Sequence, residues 1–269
     1  MMTSRIPSIF SNNTKKSRKT FISYLVCGDP SKNDTLTAMK IMADSGVDVI
    51  ELGIPFTDPI ADGPVIQKSI DRALKNNISL RDVISVVDKF RKTDKKTAVV
   101  LMGYMNPVHK MGVEKFTQSI NKNDIDGVLI VDSPPEESTT LNKCLKKYNK
   151  SHIYLASPTT TDQRMKSITK MSSGYVYYVT VKGITGSKLT DISTIKKNVS
   201  KIKKFSQNNI PVAVGFGIKD SKSAKQMSKF SDGIIIGSSI VELIHKYSNN
   251  KSVMKKRLAT YLTSISRAI

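Results

Sequence analysis

Eight short apolar runs separated by helix-like segments, with no low-complexity linker between them, predict an α/β protein: a single (β/α)8 TIM barrel with extra helices. The chain's 269 residues suit one such domain over 1–269, and 39% hydrophobic residues support a large buried core. Its 14 Gly and 10 Pro are spread along the chain, which excludes collagen, coiled coil and wholesale disorder.

The runs span residues 20–26, 47–52, 98–102, 127–131, 152–156, 175–180, 211–214 and 233–236. Most are nearly continuous in Val, Ile, Leu and Tyr, as expected of parallel strands covered on both faces. Residues 1–19 form an N-terminal helical extension, with Ile6, Ile9 and Phe10 on one face of a short helix that plugs the barrel bottom. An acid-poor transit peptide is the alternative for residues 1–28, since the first acidic residue is Asp29. After run one, Ser31 can cap a helix whose Leu36, Met39 and Met42 share a side and which Gly46 can end. Ser79 and Asp82 have capping-box spacing ahead of Leu80, Val83, Ile84 and Val87, so the second βα unit holds an additional helix. A further short helix is expected after strand eight.

Forty-three basic and 22 acidic residues give a net charge of +21. The lysines are scattered over amphipathic helix faces without interleaved aromatics, and no helix-turn-helix or finger spacing occurs. Specific nucleic-acid binding is therefore not the reading, although charge alone predicts weak, salt-sensitive association with polyanions. No apolar run approaches the roughly 18 residues that span a bilayer. Cys27 and Cys144 lie far apart, and His109, His152 and His245 fall in no metal-ligand spacing. These features point to a reducing, cytoplasmic compartment and to no metal centre.

Chemistry in such barrels gathers where strands end and their loops begin. Two-residue alternation puts Val49 and Glu51 on the inner face of strand two and Ile50 and Leu52 against the helices. A carboxyl among apolar walls has its pKa raised toward neutrality, which suits a proton shuttle; a Glu paired with a Lys or Arg is the bland alternative. Asp62, on the following Pro-rich loop, either caps the next helix or supplies a second carboxylate that splits the acid and base roles. Glycines at 183, 186, 215, 217 and 237 close the last three strands, and loops after strands seven and eight are the usual phosphate site of these barrels. The segment 181–191 has the polar, glycine-hinged make-up of a lid. Lys182, at the end of strand six, also permits a Schiff-base aldolase.

Residues 51–67, ELGIPFTDPIADGPVIQ, closely resemble the signature of the tryptophan synthase alpha subunit. Gly28-Asp29-Pro30, residues 101–107, Asp132, 183–186, 215–217 and Gly237-Ser238 support that resemblance over essentially the whole chain. The resemblance implies retro-aldol cleavage of indole-3-glycerol phosphate to indole and glyceraldehyde 3-phosphate, with no cofactor in this chain. It assigns proton shuttling to Glu51 and stabilisation of the ring nitrogen to Asp62. By the same carry-over Gly186, Phe216, Gly217, Gly237 and Ser238 would hold the phosphate, and Tyr24, Leu101, Leu129, Tyr177 and Thr185 would line the indole pocket. The implied partner is a beta subunit carrying pyridoxal phosphate in an αββα heterotetramer, with Asp58, Pro59 and the strand-six loop communicating with it. A catalytically weak barrel that serves as a binding or activating subunit is the alternative. Ser23 and Val26 depart from the family's common Pro and Thr, and Val181 replaces an Arg seen in some members.

Overall fold

The computed structural model describes residues 3–179, 192–207, 209–215 and 217–269. Its elements, in order, are α1 (Ile6–Lys15), β1 (Thr20–Val26), α2 (Lys32–Asp44), β2 (Val49–Gly53), α3 (Pro64–Lys75), α4 (Leu80–Arg91), β3 (Ala98–Gly103), α5 (Met105–Met111), α6 (Val113–Lys122) and β4 (Gly127–Ile130). There follow α7 (Thr139–Lys147), β5 (Ser151–Ala156), α8 (Asp162–Met171), β6 (Val176–Val179), α9 (Ile192–Phe205), β7 (Val212–Gly215), α10 (Ser221–Ser228), β8 (Gly233–Ile236), α11 (Ser238–Lys246) and α12 (Lys251–Ser266). All eight strands are parallel, and β1 pairs with β8 from Thr20↔Gly233 to Ser23↔Ile236, closing the barrel.

The expected strands are all present, with ends shifted by one or two residues. Alternation divides the buried residues into two layers. Ile22, Val49, Val100, Leu129, Ile153, Ala213 and Ile235 fill the barrel, while Phe21, Ile50, Leu52, Val99 and Ile234 pack under the helices. Ser31 caps α2 by accepting the Asp34 N–H, and Ser79 with Asp82 forms the capping box of α4. Gly46, at φ +89°, follows α2 in the left-handed conformation expected after a helix end. The second βα unit holds two helices, as expected. So does the third, because Gly112 at φ +88° splits one helical stretch into α5 and α6.

At the barrel bottom, one device repeats at every second strand. Asp48, Asp126, Ser173 and Asp232 lie ahead of β2, β4, β6 and β8. Each accepts a backbone N–H from the start of the strand before, from Phe21, Val99, His152 and Val212 respectively, at 2.8–2.9 Å. The three aspartates are also paired with Arg18, with Arg5 and Arg91, and with Lys203. Otherwise unsatisfied strand ends thus acquire charge-assisted partners. α1 closes this end: Ile6 and Phe10 are buried, Phe10 lies 5.6 Å from the Tyr175 ring, and Arg5 bonds both Asp124 and Asp126. The first residues are thus a structural plug, as Ile6 and Phe10 predict.

Candidate active site

Glu51 lies on the inner face of β2, opposite Tyr24 in the β1 register, and is fully buried. Among the described residues neither Lys nor Arg reaches it. Its Oε1 accepts the Tyr175 hydroxyl at 2.5 Å, and its buried Oε2 has no partner among the described residues. Burial pushes the carboxyl up to about 7, against the opposing pull of the Tyr175 hydrogen bond. Such a group exchanges protons near neutral pH without a strong energetic bias.

Asp62 precedes α3 but does not cap it: Gly63 is the N-cap and Pro64 begins the helix. Its Oδ2 instead accepts the Tyr104 hydroxyl at 2.7 Å, and the same hydroxyl accepts the Ala61 N–H at 3.1 Å. Gln67 Nε2 donates to the Asp62 carbonyl at 2.9 Å and to that of Pro59 at 3.3 Å, so α3 and the β3–α5 junction hold the loop from two sides. Burial raises the Asp62 pKa and the Tyr104 hydrogen bond opposes the rise. Asp58 is exposed, Pro59 is half-buried, and Ile60 between them and Asp62 is 86% exposed. Ile60 is the large hydrophobic residue that the described surface leaves uncovered.

Tyr24 and Tyr177 sit near both carboxylates, whose charges, after burial itself, push the two phenol pKa values well above the ordinary range. Both therefore remain proton donors. Each ring needs a glycine beside it: a Cβ at Gly53 would overlap the Tyr24 hydroxyl, and one at Gly215 would overlap that of Tyr177. Leu129 faces the interior with Val49 and Val100. Leu101 does not. On β3, Ala98, Val100 and Met102 share the inward face, and Leu101 packs with Val99 under the helices, so the strand's pocket position is the half-buried Met102.

Across the barrel mouth, Gly217 at φ +76° is exposed, Gly237 is the N-cap of α11, and Ser238 opens that helix with an exposed side chain. Among the described residues no side chain caps α11, which leaves its first N–H groups and helix dipole to the mouth. Thr185, Gly186 and Phe216 lie outside the described residues, as do Val181, Lys182 and the 181–191 segment.

Two carboxylates and an uncapped helix start thus share one barrel end. The family model for the tryptophan synthase alpha chain matches residues 10–269. The chain belongs to the tryptophan synthase alpha chain family. It is 42% identical to the alpha chain of Marinobacter nauticus over 266 residues, covering 99% of this chain and 98% of that one. It is 46% identical to the Neisseria meningitidis alpha chain over 234 residues, 87% and 89% of the two chains. Tryptophan synthase subunit alpha from Legionella pneumophila superposes with a TM-score of 0.91 at 36% identity, covering 99% and 98%.

Membership in the alpha chain family makes this an enzyme subunit of tryptophan biosynthesis. Three side chains at the site escape a reading of the sequence alone: Tyr175, Tyr104 and Gln67. Alternation back from Tyr177 would have put Tyr175 on the inward face, but nothing local shows that it reaches β2. Cys27 is fully buried and burial pushes its thiol up to about 12, which fits a wall residue rather than a reactive thiolate. Ser23, where the family commonly has Pro, is buried with no partner for its hydroxyl among the described residues. The described residues contain no cluster of three His, Cys, Asp or Glu side chains fit to hold a metal, and no helix long and apolar enough to cross a membrane.

Proposed function

We propose that the chain cleaves indole-3-glycerol phosphate to indole and glyceraldehyde 3-phosphate, a retro-aldol reaction, as the alpha subunit of an αββα assembly. The observation that carries this reading is Glu51, a carboxyl buried among apolar walls and held near neutrality in pKa, within the field of the same two tyrosines as Asp62.

The chemistry follows from those groups. Protonated Glu51 gives its proton to indole C3, which places positive charge on the ring nitrogen. Asp62, ionised and fixed by Tyr104, stabilises that charge. The Glu51 carboxylate then takes the proton of the glycerol hydroxyl next to C3. The C–C bond breaks, its electrons restore the aromatic ring, the hydroxyl carbon becomes the aldehyde, and Glu51 ends protonated as it began. Gly217, Gly237 and Ser238, with Gly186 and Phe216, hold the phosphate through backbone N–H groups. Tyr24, Leu129, Tyr177, Thr185 and Met102 line the indole pocket.

Indole leaves for a beta subunit that carries pyridoxal phosphate, and Asp58 and Pro59 communicate with it; the exposure of Asp58 and Ile60 supports that role. No cofactor is assigned to this chain, and the cytoplasm is the compartment that suits it.

Indole release by the purified chain, alone and with a beta subunit, tests the reading. Wild type releases indole and Glu51→Gln and Asp62→Asn lose it by about 10²-fold or more. Undiminished release in Glu51→Gln removes Glu51 from the mechanism.

A further inference from the structure

The C-terminal helix α12 packs against α2, α11 and α10. One of its side chains holds the loop after β7: Tyr261 Oη donates to the Lys219 carbonyl at 2.9 Å.

The Lys219 peptide is fixed on its other side too, since its N–H donates to Ser223 Oγ at 3.1 Å, within the capping box of α10. Two residues earlier, Gly217 has the left-handed φ that turns the loop toward the mouth. Drawing the Lys219 carbonyl out to α12 keeps that acceptor away from the phosphate. Anion recognition by backbone donors needs them about 2.7–3.1 Å from the oxygens, so the separation of the loop after β7 from the start of α11 matters as much as their composition.

We propose that Tyr261 is a positioning residue for phosphate recognition: its hydroxyl ties the Lys219 carbonyl to α12, which also packs on α11, and so sets the distance between the loop after β7 and the start of α11. It touches no part of the substrate. The inference rests on the proposed reaction for its kinetic readout and on the anion site alone for its binding readout.

The test compares wild type with Tyr261→Phe in the full chain with a beta subunit present, on indole-3-glycerol phosphate and on indole-3-glycerol, which lacks the phosphate. The expected result is a KM for the phosphorylated substrate raised about three- to tenfold, kcat nearly unchanged, and kcat/KM for the phosphate-free substrate equal in the two proteins. An unchanged KM, or equal losses on both substrates, overturns the proposal. If wild type releases no indole, the reaction assignment fails instead, and titration with inorganic phosphate followed by 31P NMR still decides: weaker binding in Tyr261→Phe upholds the tether and equal binding removes it.

Discussion

Tyr175 donates its phenol proton to Glu51 Oε1 at 2.5 Å, across the inside of the barrel from the base of β6 to β2. The hydrogen bond stabilises the ionised carboxylate, while burial acts the other way and dominates. Tyr175 is itself packed on Phe10 of the plug helix, so the N-terminal segment supports the buried Glu51 carboxyl through one intervening ring.

Removing that hydrogen bond raises the Glu51 pKa above its value of about 7. Because the proposed reaction starts from protonated Glu51, Tyr175→Phe moves the alkaline limb of the kcat/KM profile for indole release to higher pH. A pH series on wild type and variant checks this, and an unmoved or lowered limb contradicts it.

Glu51 also makes stability depend on pH. Below its ordinary value of 4.5 the group is protonated in both folded and unfolded chains and adds no pH dependence. Between 4.5 and about 7 the unfolded chain ionises first, so folded stability falls as pH rises, and above about 7 the loss is complete. The shift corresponds to about 3 kcal/mol as an order of magnitude. Glu51→Gln therefore gains stability over wild type as pH rises through that window; urea unfolding at both ends shows the gap opening, whereas a constant gap means that the carboxyl is not held neutral.

Tyr104→Phe removes the donor to Asp62 and the acceptor of the Ala61 N–H in one change. Asp62 then rises further in pKa and its loop loses one of two anchors, Gln67 remaining. A fall of about tenfold or more in kcat/KM is expected, since hydrogen bonds to charged groups contribute about 1.5–3 kcal/mol. Steady-state indole release measures it, with a thermal melt to show that the fold survives.

Asp126, fully buried, accepts Arg91 Nη2 and the Val99 N–H on one oxygen and Arg5 on the other. Arg91→Ala leaves that carboxylate underpaired and frees the carbonyls of Asp124 and Thr97 as well. A loss of about 3–5 kcal/mol in urea unfolding is expected, as for other broken buried pairs. Arg164→Ala, which breaks the solvent-exposed pair with Glu136, serves as the near-neutral control.

The elements most legible in the sequence were those whose signal is local. Alternation placed Val49 and Glu51 inward and Ile50 and Leu52 outward, and the Ser79–Asp82 spacing marked a real capping box. Phase was harder where a strand is apolar on both faces. Across Ala98 to Met102 every residue is hydrophobic, so composition does not mark the inward face, and nothing local corrects the family resemblance that put Leu101 in the pocket where the structure turns Met102 inward. The split of α5 from α6 was missed because a lone glycine inside a helical pattern does not announce its φ.

By itself the sequence determined the barrel, the two carboxylates at one mouth and the glycines at the ends of its last strands, because strand period, turn residues and strand-end position are set within a few residues. Only the tertiary structure decided how those groups are held. Tyr175 stands 124 positions from Glu51, Tyr104 is 42 from Asp62 and Tyr261 is 42 from Lys219. Each partner is brought in by barrel closure and helix packing, whose register and side-chain directions depend on the whole chain and leave no mark in local spacing.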